Sequence, residues 1–222
     1  MTQPRYNAFN QIHKALRAML YDTATLLQRT DFDNTAQADD VIRQLETLLH
    51  YFDEHAAHED RFVLPAVGKY NQQLVDDFER EHVTDIALAR QLSDYIGQWR
   101  AAGGNDARVQ AGHRILEAFN EFIAFNLYHM NKEEKLLNAV LWENYTDQEI
   151  LGIQQNIVAA IPPQTLMEES RWMMRSISNS EVQGWLTGLK HNAPKEVFNA
   201  FLQMGEQELP AARWEAIQKA LA

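Results

Sequence analysis

The sequence contains no cysteine among its 222 residues. This absence excludes disulfide bonds, thiol catalysis, zinc–thiolate sites and cysteine-ligated iron–sulfur clusters. Any metal ion that the chain binds must therefore be held by histidine, aspartate and glutamate side chains. Glycine (9) and proline (6) are also sparse, which together with the lack of low-complexity segments indicates an ordered chain.

Basic runs and long apolar runs are missing as well. The net charge is −11 and lysine and arginine are not clustered, which argues against binding to nucleic acid or to an anionic membrane surface. No apolar stretch approaches the roughly 20 residues that cross a bilayer. The segment MTQPRYNAFN lacks the apolar run of a signal peptide. We therefore expect a cytoplasmic protein with no nucleic-acid or membrane partner.

Apolar residues repeat with a helical period along most of the chain, and no strand pattern competes with it. Turn and capping signals separate four long helices, expected over about 8–29, 35–63, 74–101 and 106–143. Pro65 and Gly68 are expected in the turn after the second helix, and Phe62, Leu136 and Val140 on inward-facing stripes. The predicted fold is all-α, an up-down-up-down four-helix bundle followed by shorter helices.

From Thr146 the predicted helices become shorter. A capping box from Thr146 to Glu149 opens one, and Pro162 and Pro163 end it. We predict a metal-binding bundle over residues 1–145 and a C-terminal helical extension over residues 146–222. The extension is expected either to pack on the bundle or to dock a partner or a second copy of the chain. Its apolar surface is expected to comprise Trp172, Met173, Met174, Trp185, Phe198 and Phe201.

One histidine lies on the inward-facing stripe of each long helix: His13, His55, His82 and His129. In an up-down-up-down bundle, residues at equal distances from a connecting loop lie at the same depth. Counted from the loops, the four histidines differ in depth by roughly one helical turn or less. Glu59 follows His55 by four residues and Glu133 follows His129 by four residues, so each acid shares a helical face with an imidazole.

Buried ionisable groups cost several kcal/mol unless they are paired, so this set needs partners. Four imidazoles and two carboxylates without thiolate suit iron, manganese or zinc. Six ligands are too many for one tetrahedral zinc ion, whereas two bridging carboxylates and two imidazoles per ion suit a pair of ions. The charges of two ferrous ions, two glutamates and an oxide or hydroxide bridge would largely offset one another. The pattern therefore predicts a dinuclear metal site.

The candidate ligands lie in short motifs: His13 in the first helix, His55-x-x-x-Glu59 leading into VLP, His82 in EREHVTD, and His129-x-x-x-Glu133 in HMNKEE. In these motifs the sequence resembles the hemerythrin-like HHE cation-binding family. The resemblance implies a four-helix bundle with a non-haem di-iron centre, in which manganese or zinc could replace iron. By that likeness, His13 and His129 bind one iron. His55 and His82 bind the other, and both glutamates bridge the pair.

Two positions depart from the oxygen-carrying members of that family. Ile86 stands where they place a second histidine in the third helix, and Glu133 stands where they place an aspartate. The symmetric set of four histidines and two glutamates resembles instead the branch that senses oxygen or iron, or handles iron and nitric oxide. We therefore expect a di-iron protein that binds or senses O2, NO or iron. A di-iron oxidoreductase acting on NO, peroxide or Fe(II) is an alternative. So is a scaffold with a structural metal and a partner-binding C-terminal region.

Other residues lie close to the candidate ligands by helical spacing. His58 is either a further ligand or ligand-orienting residue, or a half-exposed histidine at the helix edge. Tyr51, Asp85 and Asn126 flank the ligands and are candidates to orient imidazole N–H groups. The remaining histidines are expected to be exposed to solvent: His50, His113 and His191.

Overall fold

The structure is a computed structural model that describes residues 5–221. Within this range the chain forms helices joined by short turns and contains no strand, so the predicted all-α class is confirmed. No helix in the described range is both long enough and apolar enough to cross a membrane. The helices are α1 (Asn10–Gln28), α2 (Thr35–His58), α3 (Leu64–Gly68), α4 (Gln72–Ala101), α5 (Asn105–Lys132), α6 (Asn138–Asn144), α7 (Asp147–Ala160), α8 (Pro163–Ser176), α9 (Asn179–Asn192), α10 (Lys195–Glu208) and α11 (Ala211–Leu221).

Two five-residue π-helical segments interrupt the long helices. Segment π1 (Glu59–Val63) joins α2 to α3, and segment π2 (Glu133–Leu137) joins α5 to α6. The backbone stays helical through both, so the second helix continues past Pro65 to Gly68, and the turn follows at Lys69. The expectation that Pro65 marks that turn is wrong. Proline is tolerated there because it lies in the first turn of α3, just after the wider π turn.

The π segments also shift the buried face of each helix by one residue. A π turn holds more residues than an α turn, so everything after it is rotated by about 100° relative to a straight α-helix. Phe62, Leu136 and Val140, which straight helical spacing directs inward, are only half-buried. Their buried counterparts are the next residues along the chain: Val63, Leu137 and Leu141.

Local sequence signals explain where the helices begin. The side chain of Asn34 accepts a hydrogen bond from Gln37 N and caps α2. The side chain of Asn71 accepts from Leu74 N and caps α4. The predicted capping box opens α7, because Thr146 Oγ1 accepts from Glu149 N and Glu149 Oε2 accepts from Thr146 N.

The described residues form two compact units. The larger unit comprises the chain up to Asn10 together with Met19–Ala160, and the smaller comprises Gln11–Ala18 together with Ile161–Ala222. The bundle and extension boundary predicted at residue 145 stays a prediction.

Polar side chains connect neighbouring long helices of the larger unit. Gln44 of α2 donates to Thr23 of α1 at 3.0 Å. The guanidinium of Arg100, near the end of α4, donates to both carboxylate oxygens of Glu46 in α2. Arg114, early in α5, donates to Gln98, late in α4, at 3.1 Å. These pairings are consistent with a helical bundle. Its fully buried side chains include Leu45, Leu48, Phe78, Leu92, Ile115, Phe119 and Phe122.

The smaller unit has an apolar cluster of its own, built from α8 to α11. Met174 and Phe201, expected on an apolar surface, are buried in this cluster. The four other residues of that expected surface are half-buried, and Trp185 packs edge-on against Phe201 at 5.0 Å between ring centroids. Gly205 of α10 lies so close to the Trp214 ring that a Cβ atom there would meet it at 2.4 Å. Because α8 to α11 bury these residues against one another, the sequence pattern alone overstated the exposed apolar surface.

Candidate metal centre

Five of the six candidate ligands are buried in the helical core: His13, Glu59, His82, His129 and Glu133. His55 is half-buried, with a side-chain exposure of 14% against 5% for His82 and 7% for His129. Side chains of this polarity are rarely buried unless they are paired with a charge or coordinate a metal. The burial pattern therefore marks these residues as an unusual group of ionisable side chains in a mainly apolar interior.

The six residues form two sets of four that share both glutamates. In each set, one ligand atom from every residue lies within 4.8 Å of the others. One set contains His13 and His55 with Glu59 and Glu133, and the other contains His82 and His129 with the same two acids. Each set offers two imidazole nitrogens and two carboxylates, a donor set that suits a cation such as iron, manganese or zinc.

This grouping differs from the pairing that the family resemblance implies. His13 is grouped with His55 rather than with His129, and His82 with His129 rather than with His55. The physical reason for the second pair is direct packing. His82 on α4 and His129 on α5 face each other with ring centroids 5.1 Å apart. The structure therefore groups the histidines differently from the implied pairing, and all six residues belong to one or both of the two sets.

The Nε2 atoms of the imidazoles point toward the shared acids. His129 Nε2 lies 2.8 Å from Glu133 Oε1, and His55 Nε2 lies 3.2 Å from Glu59 Oε1. His82 Nε2 is more distant, at 3.6 Å from Glu59 Oε2 and 3.9 Å from Glu133 Oε1. This buried His82 nitrogen makes no hydrogen bond with any part of the chain that the structure describes. A buried nitrogen left without a hydrogen bond is what a metal ligand would show.

The two shared acids occupy equivalent positions in their helices. Glu59 is the first residue of π1 and Glu133 is the first residue of π2, each four residues after a histidine of the set. Single π turns inside α-helices are rare and frequently lie at functional sites. The four-residue spacing of histidine and acid does not predict the π turns, because both members of each pair lie before the residue that the π turn adds. The only signal in the sequence is the displacement of the apolar stripe beyond each glutamate.

Two further acids contact the other nitrogen of the imidazoles. Asp60 Oδ1 lies 2.7 Å from His82 Nδ1, and Glu81 Oε2 lies 2.8 Å from His129 Nδ1. Lys132 donates to the second oxygen of Glu81. Helical spacing did not reveal either acid, because each reaches across to the neighbouring helix. The sequence signal that could have identified them is their position next to a candidate ligand. Asp60 directly follows Glu59, and Glu81 directly precedes His82.

Two of the residues predicted to orient the imidazoles, Asp85 and Asn126, are hydrogen-bonded to each other. Asn126 Nδ2 donates to Asp85 Oδ1 at 2.6 Å and to the carbonyl of Phe122 at 3.1 Å. Burial raises the pKa of Asp85, against the opposing effect of the Asn126 hydrogen bond. Tyr51 is buried. Asp85 and Asn126 thus form a buried pair of their own beside the cluster.

The acids change the protonation of the buried imidazoles. Burial acts to lower the pKa of His82, but the nearby carboxylates of Glu133, Glu59 and Asp60 outweigh it and raise the pKa to about 11. Burial also opposes protonation of His129, yet Glu133 and Glu81 raise its pKa. Burial acts to raise the pKa of Glu81, but His129 and Lys132 outweigh it and lower the pKa. The electric field of the acids therefore favours a positive charge beside the imidazoles, whether a proton or a metal ion.

Within the described residues 5–221, His58 belongs to neither four-residue set. Its side chain is half-buried beside Phe62, with ring centroids 6.4 Å apart. Burial is the largest effect on the pKa of His58 and lowers it. The structure favours the interpretation of His58 as a histidine at the helix edge. As predicted, the remaining histidines are exposed: His50, His113 and His191.

Comparison with known proteins supports a cation-binding fold. The family described as Hemerythrin HHE cation binding domain matches residues 5–145, well over half of the chain. Two Arabidopsis thaliana proteins, each named Zinc finger protein BRUTUS-like, are both 23% identical to the chain, over 189 and 191 residues. Each match covers 85% of this chain but 15% of the relative, so the chain spans only a small part of those proteins. No solved structure matches.

Proposed function

Because the chain belongs to the hemerythrin HHE cation-binding domain family, we propose that it is a non-haem di-iron protein that binds or senses O2, NO or iron. Family membership confirms the resemblance seen in the sequence, and the His/Glu cluster could bind metal. The observation that carries the proposal is the sharing of Glu59 and Glu133 by two four-residue sets. Two sets with two common acids are the ligand pattern of a pair of ions, not of one.

Each ion would be held by two imidazoles and the two shared carboxylates. His13 and His55 would hold one ion, and His82 and His129 would hold the other. Iron is favoured over zinc because four nitrogen and oxygen donors already complete a tetrahedral zinc site, whereas iron accepts further ligands. When bound, the iron pair would supply redox chemistry and open coordination positions for a small ligand.

The residues around the cluster restrict access to it. Phe78 and Phe125 flank the His129 ring, with centroid distances of 5.6 and 5.7 Å. These aromatic rings cover the His129 imidazole on its side of the cluster. His55 is the most exposed of these ligands, so we propose that a small ligand or an incoming ion approaches from its side.

The first experiment measures metal content. The purified protein, loaded with Fe(II) without oxygen and desalted, should retain about two iron ions per chain. His129→Ala should retain no more than one, because removal of one imidazole disrupts a four-ligand set. His113→Ala, an exposed histidine on the same helix, is the matched control and should retain the full complement. A wild-type protein with less than one ion per chain, or a His129→Ala variant that keeps two, would contradict the proposal.

The second experiment tests the small ligand. The absorption spectrum of the Fe(II)-loaded protein should change on exposure to O2 or NO, and the spectrum of His82→Ala should not. Reversible spectral changes without consumption of an added electron donor support binding or sensing. Sustained turnover with that donor would instead support the oxidoreductase alternative.

A further inference from the structure

We propose that Asp60 and Glu81, which lie outside the six-ligand set, are positioning residues that fix His82 and His129 with the Nε2 atom directed at the metal. This inference rests on the proposed metal-binding function. It adds two residues on which metal affinity depends and that do not themselves contact the ion.

A metal ion binds imidazole in its neutral form and displaces the proton from the nitrogen that it binds. One ring nitrogen carries a hydrogen and donates, and the other has a lone pair that accepts or binds metal. An ionised carboxylate can only accept. Because Asp60 and Glu81 contact the Nδ1 atoms of His82 and His129, those nitrogens must donate. The lone pair is then on Nε2 in both rings, and both Nε2 atoms face the shared acids.

The arrangement also connects three helical elements in sequence. Asp60 in π1 holds His82 on α4, and Glu81 on α4 holds His129 on α5. Each orienting acid is the immediate chain neighbour of a ligand, so ligand and acid are fixed by the same backbone segment. A carboxylate that accepts from the far nitrogen of a metal-binding histidine fixes the ring and increases its basicity as a ligand. Loss of such a carboxylate typically weakens metal affinity by about 10- to 100-fold.

The two acids differ in solvent exposure, and this difference predicts which contributes more to metal affinity. The side chain of Glu81 is 24% exposed and also receives a hydrogen bond from Lys132. The side chain of Asp60 is 50% exposed. Charge–charge interactions weaken as solvent screens them, so Glu81 should contribute more to metal affinity than Asp60 does.

The test compares Fe(II) affinity, measured without oxygen by competition with a chelator, in four alanine variants of the full chain. Glu81→Ala should weaken binding by about 10- to 100-fold, and Asp60→Ala by a smaller factor. The controls are Glu79→Ala and Asp53→Ala, exposed acids on the same helices, which should bind as wild type does. Glu81→Gln retains an oxygen that can accept the hydrogen bond and should recover most of the affinity. This second variant keeps the inference testable if Glu81→Ala fails to fold.

A spectroscopic measurement separates positioning from general stabilisation. In the protein loaded with diamagnetic Zn(II), proton–nitrogen NMR should show a protected Nδ1–H resonance for both His82 and His129. Glu81→Ala should lose the His129 resonance and keep that of His82, and Asp60→Ala should do the opposite. Unchanged Nδ1–H resonances, or variant affinities equal to those of the controls, would overturn the inference. Failure of the wild-type chain to bind Fe(II) or Zn(II) at all would instead overturn the proposed function.

Discussion

Two stretches of the molecule differ in how they bury polar side chains. Helices α2 to α6, with the π segments between them, bury ionisable residues: Glu59, His82, Asp85, His129 and Glu133. Between Ile161 and Leu221, Ser170 is the only buried polar residue among those described. The ion pairs in that second stretch lie toward the surface, where Arg171 and Arg175 bond to Glu208 and stay substantially exposed.

This difference indicates which stretch of the chain should depend on a bound ligand for its stability. Apolar burial is the main source of stability in α8 to α11, at about 25 cal/mol per Å² of apolar surface removed from water. The His/Glu cluster instead places two acids and several imidazoles in a core, where each uncompensated charge costs several kcal/mol. We therefore expect bound metal to control the stability of one stretch and not of the other.

The largest expected effect comes from adding or removing metal. A ligand present at 1,000 times its dissociation constant stabilises the folded state by about 4 kcal/mol. Fe(II) loading should therefore slow amide hydrogen exchange strongly in α4 and α5, and should leave α9, α10 and α11 unchanged. Chelation should reverse the effect. Equal changes in both stretches would mean that they unfold as one cooperative unit, which would contradict the expectation that metal stabilises only one of them.

A packing substitution of intermediate size should act in the opposite stretch. Gly205→Ala places a methyl group 2.4 Å from the Trp214 ring, and overpacking of this kind costs about 1–3 kcal/mol. Thermal or urea unfolding of α8 to α11 should report this loss, while the Fe(II) content stays the same. Gly188→Ala in α9 is the control. It has open space around the added methyl group and should stabilise by about 0.4–1 kcal/mol. A destabilised Gly188→Ala, or an unaffected Gly205→Ala, would contradict this account.

The smallest effect should be a pH dependence in α8 to α11. Burial acts to raise the pKa of Glu208, but hydrogen bonds from Arg171 and Arg175 outweigh it and lower the pKa. A group whose pKa is lower in the folded state stabilises above its unfolded value, and this stability disappears as the pH falls. Glu208→Gln should thus cost at most about 1 kcal/mol near pH 7, since the arginines are solvent-screened. The difference from wild type should vanish in acid. A constant difference across the acid range would exclude this ion pair as its source.

Much of the fold follows from the sequence because its signals are local. Asn34 and Thr146 cap helices where their side chains can reach backbone N–H groups within one turn. The four-residue spacing of His55 and Glu59 places both on one face without reference to the rest of the molecule. Periodicity of this kind predicts the six candidate ligands, and the structure groups them in two sets of four, within each of which the ligand atoms lie within 4.8 Å of one another.

The features that escaped the sequence depend on contacts between helices. Asp60 and Glu81 act on rings that belong to the next helix, so their role depends on how each helix is rotated about its axis. The grouping of His82 with His129 likewise follows from the packing of α4 against α5. Met174 and Phe201 were predicted to lie on an exposed surface, but they are buried in a separate apolar cluster. The sequence shows that these side chains are large and apolar, and it does not show that they pack against one another.

Segments π1 and π2 have a consequence for anyone who would rebuild this centre in another protein. Each helix presents one face to the core as far as its shared glutamate and a different face beyond it, displaced by one position in the sequence. If the four histidines and two glutamates were grafted onto straight helices, the glutamates and the apolar residues that follow them could not all face the core. The extra residue in each helix would have to be transplanted together with the ligands.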